Sequence, residues 1–167
     1  LCNPDFEKVF DISNIGGTND INAGQAIDRT GVMMGLPFPC GAAMDKMAME
    51  YDGKLPKPKI SVNGAKCNLS GLENKAAEMY KECEDPKKTS AYTLSFIAAT
   101  LSEITKNVLA KYGDLPIVYA GGVMSSAYIK KSLSKYGIFA DPEFSSDNAA
   151  GTALLAAELY KRGIVQD

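Results

Sequence analysis

The chain of 167 residues contains no histidine and no tryptophan. Because an imidazole titrates near neutral pH and binds transition metals, the absence of histidine excludes from this chain every mechanism that needs a histidine base or ligand. No apolar run approaches the roughly 20 residues of a membrane-spanning helix, and residues 1–5 lack the basic start of a signal peptide. We therefore expect a soluble, cytoplasmic protein with no membrane contact.

The chain also lacks an excess of charge of one sign, since it has 18 Lys and Arg and 20 Asp and Glu. Any contact with nucleic acid must then be local, and lysine pairs such as Lys130-Lys131 more often solvate a surface than bind RNA. The four cysteines include no C-x-x-C pair, which argues against a zinc knuckle and for reduced thiols. The first residue is Leu1 rather than Met, so we expect a piece of a longer protein.

Hydrophobic residues make up 46% of the chain, enough to bury the core of one ordinary domain. Periodicity predicts an entry strand and loop over residues 1–20, followed by a mostly helical segment over 21–112. A hairpin is expected near 59–68, around the turn Asn63-Gly64. Residues 113–167 predict the order strand, helix, strand, helix. The expected class is therefore α/β and helix-rich.

Local signals set the expected boundaries of several elements. Ser70 and Glu73 fit an S-x-x-E capping box at the start of the third helix. The fourth helix is expected from about Ser90 to Tyr112, and residues 115–120 are typical of a short buried strand. Ser145 or Ser146 is expected to cap the last helix.

The pair Gly121-Gly122 lies between a predicted strand and a helix that Ser125 or Ser126 is expected to cap. Adjacent glycines let a ligand approach the backbone, and the N-terminus of the helix would offer unpaired N–H groups, an arrangement that suits a nucleotide. A strand-to-helix turn that merely needs positive φ explains the same pattern. Both alternatives stay open on the motif alone.

Three aspartates are candidates for ligand binding. Asp147, at the start of the last helix, could hold a metal ion, although a helix cap is the commoner role there. Asp28 and Asp45 lie on two helices separated by the turn that holds Gly41, and such a pair could bind ribose hydroxyls. Solvated helix faces explain isolated aspartates more often.

Five motifs, taken in order, resemble one family over residues 20–163. They are GQAIDR at 24–29, GLPFPCG at 35–41, LSGL at 69–72, AGGV at 120–123 and SDNAA at 146–150. Together they are similar to the carboxy-terminal half of the tRNA threonylcarbamoyladenosine transferases, also known as glycoproteases or O-sialoglycoprotein endopeptidases.

The resemblance implies an actin/hexokinase/Hsp70-like fold, in which two ribonuclease-H-like lobes hold ATP or threonylcarbamoyl-adenylate between them. This chain would be the carboxy-terminal lobe, with a helical insertion. Asp147 would be one ligand of a divalent metal, Fe or Zn, and two histidines of an H-x-x-x-H helix in the amino-terminal lobe would complete the site. The positions implied to contact the nucleotide are Asp28, Gly41, Asp45, Gly121, Gly122 and Ser126.

The implied reaction moves a threonylcarbamoyl group from its adenylate to the amino nitrogen of the tRNA adenosine next to the anticodon. Ser126 replaces an asparagine of the family and Glu73 replaces a lysine, which favours a divergent paralogue. A non-catalytic paralogue that serves as a dimerisation or scaffold partner is the alternative. We expect the isolated chain to be inactive. The implied partners are the protein's own amino-terminal lobe, a second copy or a paralogous assembly subunit, and tRNA.

Overall fold

The computed structural model describes residues 1–5, 9–146 and 149–164. These residues form a helix-rich α/β structure, as predicted, and none of their helices is both long and apolar enough to cross a membrane. A 3₁₀ turn spans Gly122–Ser125. In chain order the other elements are β1 Cys2–Asp5, β2 Val9–Ile12, β3 Gly17–Thr18, α1 Ala23–Met33, α2 Gly41–Met49, β4 Ser61–Asn63, β5 Lys66–Asn68, α3 Ser70–Cys83, α4 Pro86–Tyr112, β6 Val118–Tyr119, α5 Ala127–Leu133, β7 Ile138–Phe139, α6 Glu143–Ser146 and α7 Ala149–Lys161.

Helix α4 is the centre of the structure, and α1, α2, α3 and α5 all pack against it. Residues 89–94 are buried without interruption, so this stretch of the helix is covered on every side. Small hydroxyl residues occur within it because they let other helices approach closely. Thr93 Oγ1 donates to the Thr89 carbonyl (2.8 Å) and Thr100 Oγ1 to the Phe96 carbonyl (2.9 Å), which satisfies these two hydroxyls inside the core. The buried Thr89 Oγ1 has no hydrogen-bond partner among the described residues.

The start of α4 lies four residues before the predicted one. Asp85 caps the helix by accepting hydrogen bonds from the backbone N–H groups of Lys87 (2.9 Å) and Lys88 (3.1 Å). Pro86 occupies the first helical position, where its missing N–H costs nothing. Glu84, in the left-handed region with φ 47°, ends α3 just before the cap. Glu84, Asp85 and Pro86 therefore end α3 and begin α4.

The predicted capping box at Ser70 is wrong, because Ser70 is already helical. The N-terminus of α3 is capped instead by Asp20, whose carboxylate accepts from the backbone N–H groups of Leu69 (2.8 Å) and Ser70 (2.9 Å). Desolvation raises the pKa of this carboxyl, but the hydrogen bonds from Leu69, Ser70 and Thr18 outweigh it and hold the pKa well below its usual range. Glu73 forms an ion pair with Arg29 of α1 (3.2 Å).

The hairpin forms as predicted, with its register shifted by one residue. Asn63 pairs with Lys66 across the two strands, so the turn residues are Gly64 and Ala65 rather than Asn63 and Gly64. Only Gly64 of these has positive φ (59°), which fits a turn with glycine at its first central position. Strand β5 also pairs with β3, in parallel, giving the strand order β3-β5-β4.

Strands β6 and β7 pair in parallel, but β6 is shorter and less buried than expected for residues 115–120. Val118 is 62% exposed, whereas Tyr119 is buried and its hydroxyl lies 2.9 Å from Thr105 Oγ1 of α4. The strand is therefore not buried along its length as predicted, and the Tyr119 side chain anchors it to the core.

The last part of the chain packs loosely. Ser145 lies within the short helix α6, where its hydroxyl donates to the Asp141 carbonyl (3.2 Å) instead of capping the last helix. The predicted cap at Ser146 involves residues outside the described ones. Helix α7 has no buried residue and contacts β2, which pairs with β1 in an antiparallel hairpin. Leu154 is 72% exposed and Tyr160 is 78% exposed, so an apolar face is open here.

Helices α1 and α2 approach each other at Gly31 and Cys40. A Cβ added at Gly31 would overlap Cys40 Cβ and would lie 2.6 Å from Cys40 Sγ and 3.2 Å from Met44 Sδ. Glycine is therefore required by packing at this position, where its helix propensity is poor.

We expect Asp20→Ala to lower the free energy of unfolding at pH 7 by about 1–2 kcal/mol, because α3 loses its N-terminal acceptors. Since folding lowers the pKa of this carboxyl, its contribution is complete above the unfolded pKa of about 3.9 and is lost as the pH falls toward the folded value. Urea unfolding between about pH 7 and pH 3 measures the free energy of unfolding of Asp20→Ala and of wild type. The difference between the two should become smaller as the pH falls. Asp52→Ala, at an exposed carboxylate, is the control, and an equal loss there would contradict the assignment.

Gly31→Ala should destabilise the protein although alanine favours helices by about 1 kcal/mol, because overpacking against Cys40 costs about 1–3 kcal/mol. Gly71→Ala in α3 is the matched control, since its Cβ would meet nothing within 4 Å. The midpoint temperature of thermal unfolding should fall for Gly31→Ala and rise for Gly71→Ala. A stabilised Gly31→Ala protein would refute the close approach of α1 and α2.

Candidate functional site

A cleft of about 350 Å³ lies where the start of α2 meets the 3₁₀ turn before α5. Both helices are held there by packing against α4, and Leu94 of α4 contributes to the wall. Four of the six predicted nucleotide positions, Gly41, Asp45, Gly122 and Ser126, come together in this cleft although more than 80 residues separate the first from the last. The lining residues are Ile27, Gly41, Ala42, Asp45, Lys46, Leu94, Gly122, Val123, Ser125 and Ser126.

The Asp45 carboxylate joins α2 to the N-terminus of α5. It accepts hydrogen bonds from the backbone N–H groups of Ala127 (3.0 Å) and Tyr128 (3.1 Å) and from the Ser126 hydroxyl. Ser126 Oγ in turn accepts from the backbone N–H of Ile129 (3.2 Å), so Ser126 caps α5, one of the two predicted alternatives. The expectation that this helix offers unpaired N–H groups to a ligand is therefore wrong, because Asp45 and Ser126 already occupy them.

The glycines of the cleft face open space. A Cβ added at Gly41 or at Gly122 would meet no atom within 4 Å, and neither residue has positive φ. Packing and backbone conformation within the described residues therefore do not require glycine at these two positions. Gly121 differs, because its φ of 105° favours glycine regardless of space. The open backbone at Gly41 and Gly122 fits a ligand that approaches the main chain closely.

Asp28 lies in a different pocket. One of its carboxylate oxygens accepts from the Cys40 backbone N–H (2.8 Å), which fixes the turn that leads into α2. With Met33 and Phe38 it lines a mainly apolar pocket of about 530 Å³ on α1. Burial raises the pKa of the Cys40 thiol, and the neighbouring charge of Asp28 adds to the effect. Asp28 thus positions Gly41 for the cleft, and the structure does not unite Asp28 and Asp45 in one pocket.

The predicted metal ligand, Asp147, lies outside the described residues. Within the described ranges, no group of three His, Cys, Asp or Glu side chains could hold a metal ion.

Sequence reasoning missed Lys46, which lines the cleft beside Asp45 and supplies a positive charge suited to a phosphate. Its position next to Asp45 on the same short helix was a usable signal. Leu94 was also missed, and no local signal could have found it, because its place in the wall depends on how α2 and α5 pack on α4.

Asp45→Ala and Ser126→Ala should each lower the free energy of unfolding by about 1–2 kcal/mol, since each leaves α5 without part of its cap. The double variant should lose less free energy of unfolding than the two single variants lose together, because the two side chains act as one hydrogen-bonded unit. Urea unfolding of both single variants and the double variant measures this coupling. Asp45→Asn, which keeps an acceptor, should lose less than Asp45→Ala, and strict additivity would contradict the network.

Comparison with known proteins supplies the family. Residues 6–154 match the family of tRNA N6-adenosine threonylcarbamoyltransferases. Relatives of that name include proteins of Thermosipho africanus (31% identity), Maricaulis maris (30%) and Polaromonas naphthalenivorans (29%). The alignments cover 94%, 94% and 95% of this chain, in that order, but 52%, 48% and 49% of the relatives.

The chain thus spans about half the length of the curated relatives that it matches. The family match, by contrast, extends from the first hairpin into α7 and takes in every residue of the cleft. This confirms the resemblance drawn from the five motifs: the chain belongs to the tRNA N6-adenosine threonylcarbamoyltransferase family.

Proposed function

We propose that the chain provides one wall of an adenine-nucleotide site in a protein that acts in threonylcarbamoyladenosine modification of tRNA. The nucleotide, ATP or threonylcarbamoyl-adenylate, would lie in the cleft between α2 and the 3₁₀ turn. The observation that carries the proposal is the juxtaposition of Gly41 and Gly122, two glycines whose backbones face open space, beside Asp45 and Lys46.

The chemistry of the cleft suits this ligand. The glycines leave room for a ribose or base against the main chain. Asp45 Oδ2 accepts only the Ala127 N–H among the described residues and keeps a lone pair for a hydroxyl. Lys46 has no ion-pair partner among the described residues and is placed to attract a phosphate.

The rest of the site would come from outside this chain. The relatives are about twice as long as the matched region, and we propose that the protein's own amino-terminal lobe covers the cleft in an actin-like, ribonuclease-H-like arrangement. The divalent metal would be held with Asp147 and histidines of that lobe. The described residues contain no metal-ligand cluster of their own.

A scaffold role is the second candidate, and a specific observation favours it. The side chains of Asp45 and Ser126 already bond to α5, so these two residues stabilise the fold whether or not a nucleotide binds. The exposed apolar face of α7, with Leu154 and Tyr160, would suit a paralogous subunit or a second copy. In that case the protein would keep the fold of an enzyme without its reaction.

Gly41→Val tests the nucleotide site in the full-length protein. The new side chain would enter the open space in front of the backbone, so we expect ATP affinity to fall by about tenfold or more while the fold is retained. Isothermal titration with ATP, with and without divalent metal, measures the affinity, and thermal unfolding checks the fold.

Gly71→Val is the matched control for this change. Gly71 also lies in the first turn of a helix and also faces open space, but it does not line the cleft. Equal ATP affinity in Gly41→Val and wild type would remove the cleft as the nucleotide site. Absence of ATP binding by the unaltered full-length protein would favour the scaffold.

A further inference from the structure

We propose that a second pocket, between Tyr51, Tyr128 and Lys131, receives an unstacked base of the tRNA and the phosphate next to it. The proposal rests on the proposed function, because it assigns part of the RNA-binding surface of the same protein. It concerns a place in the fold that none of the five family motifs reaches.

The pocket has a volume of about 450 Å³ and lies in the groove between α2 and α5. This volume falls in the range of roughly 300–1,000 Å³ that small-ligand sites occupy. Two tyrosines, a serine and a lysine are among the residues around it. Its lining residues are Ala48, Met49, Tyr51, Tyr128, Lys131 and Ser132.

The ring of Tyr51 is held in place by its own loop. Its hydroxyl donates to the Lys54 carbonyl (3.3 Å). A Cβ added at Gly53 would overlap the Tyr51 ring, so the backbone of the loop lies directly against it. A ring that is already fixed loses little conformational entropy when a base stacks on it, which is the property of a stacking platform.

The pocket adjoins the nucleotide cleft. The backbone N–H of Tyr128 donates to Asp45 in the cleft (3.1 Å), while its side chain lines the second pocket. Met49 lies four residues after Asp45, one turn further along α2, a rise of about 6 Å. The second pocket is therefore about one helical turn from the cleft.

Positive charge lies on the α5 side of the pocket, where residues 127–133 contain two lysines and no Asp or Glu. On the α2 side Glu50 is paired with Lys87 (2.8 Å), and Asp52 is exposed. Lys130 lies over the Phe139 ring (5.2 Å) and Lys135 over the Tyr136 ring (5.0 Å). Among the described residues, Lys131 makes no ion pair, hydrogen bond or ring contact, so its ammonium group is available to a phosphate at the edge of the pocket.

Aromatic rings beside a cation are the combination with which proteins hold single-stranded RNA, since bases stack on the rings and the cation meets the backbone. The overall charge of −2 gives no general attraction to RNA, so recognition must come from such a local site. An unpaired base of the anticodon loop has the required chemistry.

The test measures binding of a fluorescent anticodon stem-loop RNA and of ATP to the full-length protein. Tyr51→Leu should weaken RNA binding by about fivefold or more, because it removes the stacking surface, and Tyr51→Phe should stay within about twofold of wild type. Lys131→Glu should weaken RNA binding more than Lys135→Glu, which makes the same charge change in the same segment outside the pocket. ATP affinity should be unchanged in all four variants.

Thermal unfolding identifies a variant that fails to fold, and a second measurement does not depend on variants. RNA that carries a photoreactive base in the anticodon loop should cross-link to Tyr51 or Tyr128, read out by mass spectrometry. Suppose that the protein binds ATP but that neither Tyr51→Leu nor Lys131→Glu changes RNA affinity. That result would contradict the proposed RNA pocket, as would cross-links found only at other residues. Loss of ATP binding by the unaltered protein would overturn the nucleotide site instead.

Discussion

The complete burial of one helix is the constraint on which the rest of the structure depends. Residues 89–94 of α4 are enclosed on all sides, so the helices before it and the helix after it must converge on one axis. This convergence brings α2 and α5 side by side although a long stretch of chain separates them. The candidate cleft is the gap that remains between their ends, and Leu94 of the central helix forms part of its wall.

The Asp45 carboxylate turns this contact into a defined site. Three hydrogen-bond donors at the start of α5 converge on it, so α2 and α5 are linked at the point where the cleft opens. The same arrangement makes Asp45 and Ser126 structural residues first. A side chain that caps a helix can still accept a further hydrogen bond from a ligand. The presence of Asp45 and Ser126 alone, however, does not indicate that a ligand binds. The open backbones at Gly41 and Gly122 are the second indication, because both glycines line the cleft, whereas Gly71, which also faces open space, does not.

Much of the local structure followed from short-range signals. Gly64 shapes the hairpin turn with its positive φ, and Ser126 caps α5. The errors occurred where a distant group replaced a local one. The box at Ser70 and Glu73 had the right spacing, yet Asp20, 50 residues away along the chain, supplies the cap and Glu73 pairs with Arg29 instead.

By itself the sequence determined the helix-rich α/β class, the main helices and, through five ordered motifs, the family. It did so because periodicity, turn chemistry and motif order are properties of neighbouring residues. Only the tertiary structure decided that Gly41, Asp45, Gly122 and Ser126 share a cleft while Asp28 does not, and that Tyr51 lies across a pocket from Tyr128 and Lys131. These neighbours come from separate helices, and their proximity depends on how α2 and α5 pack against the buried α4, which no local pattern records.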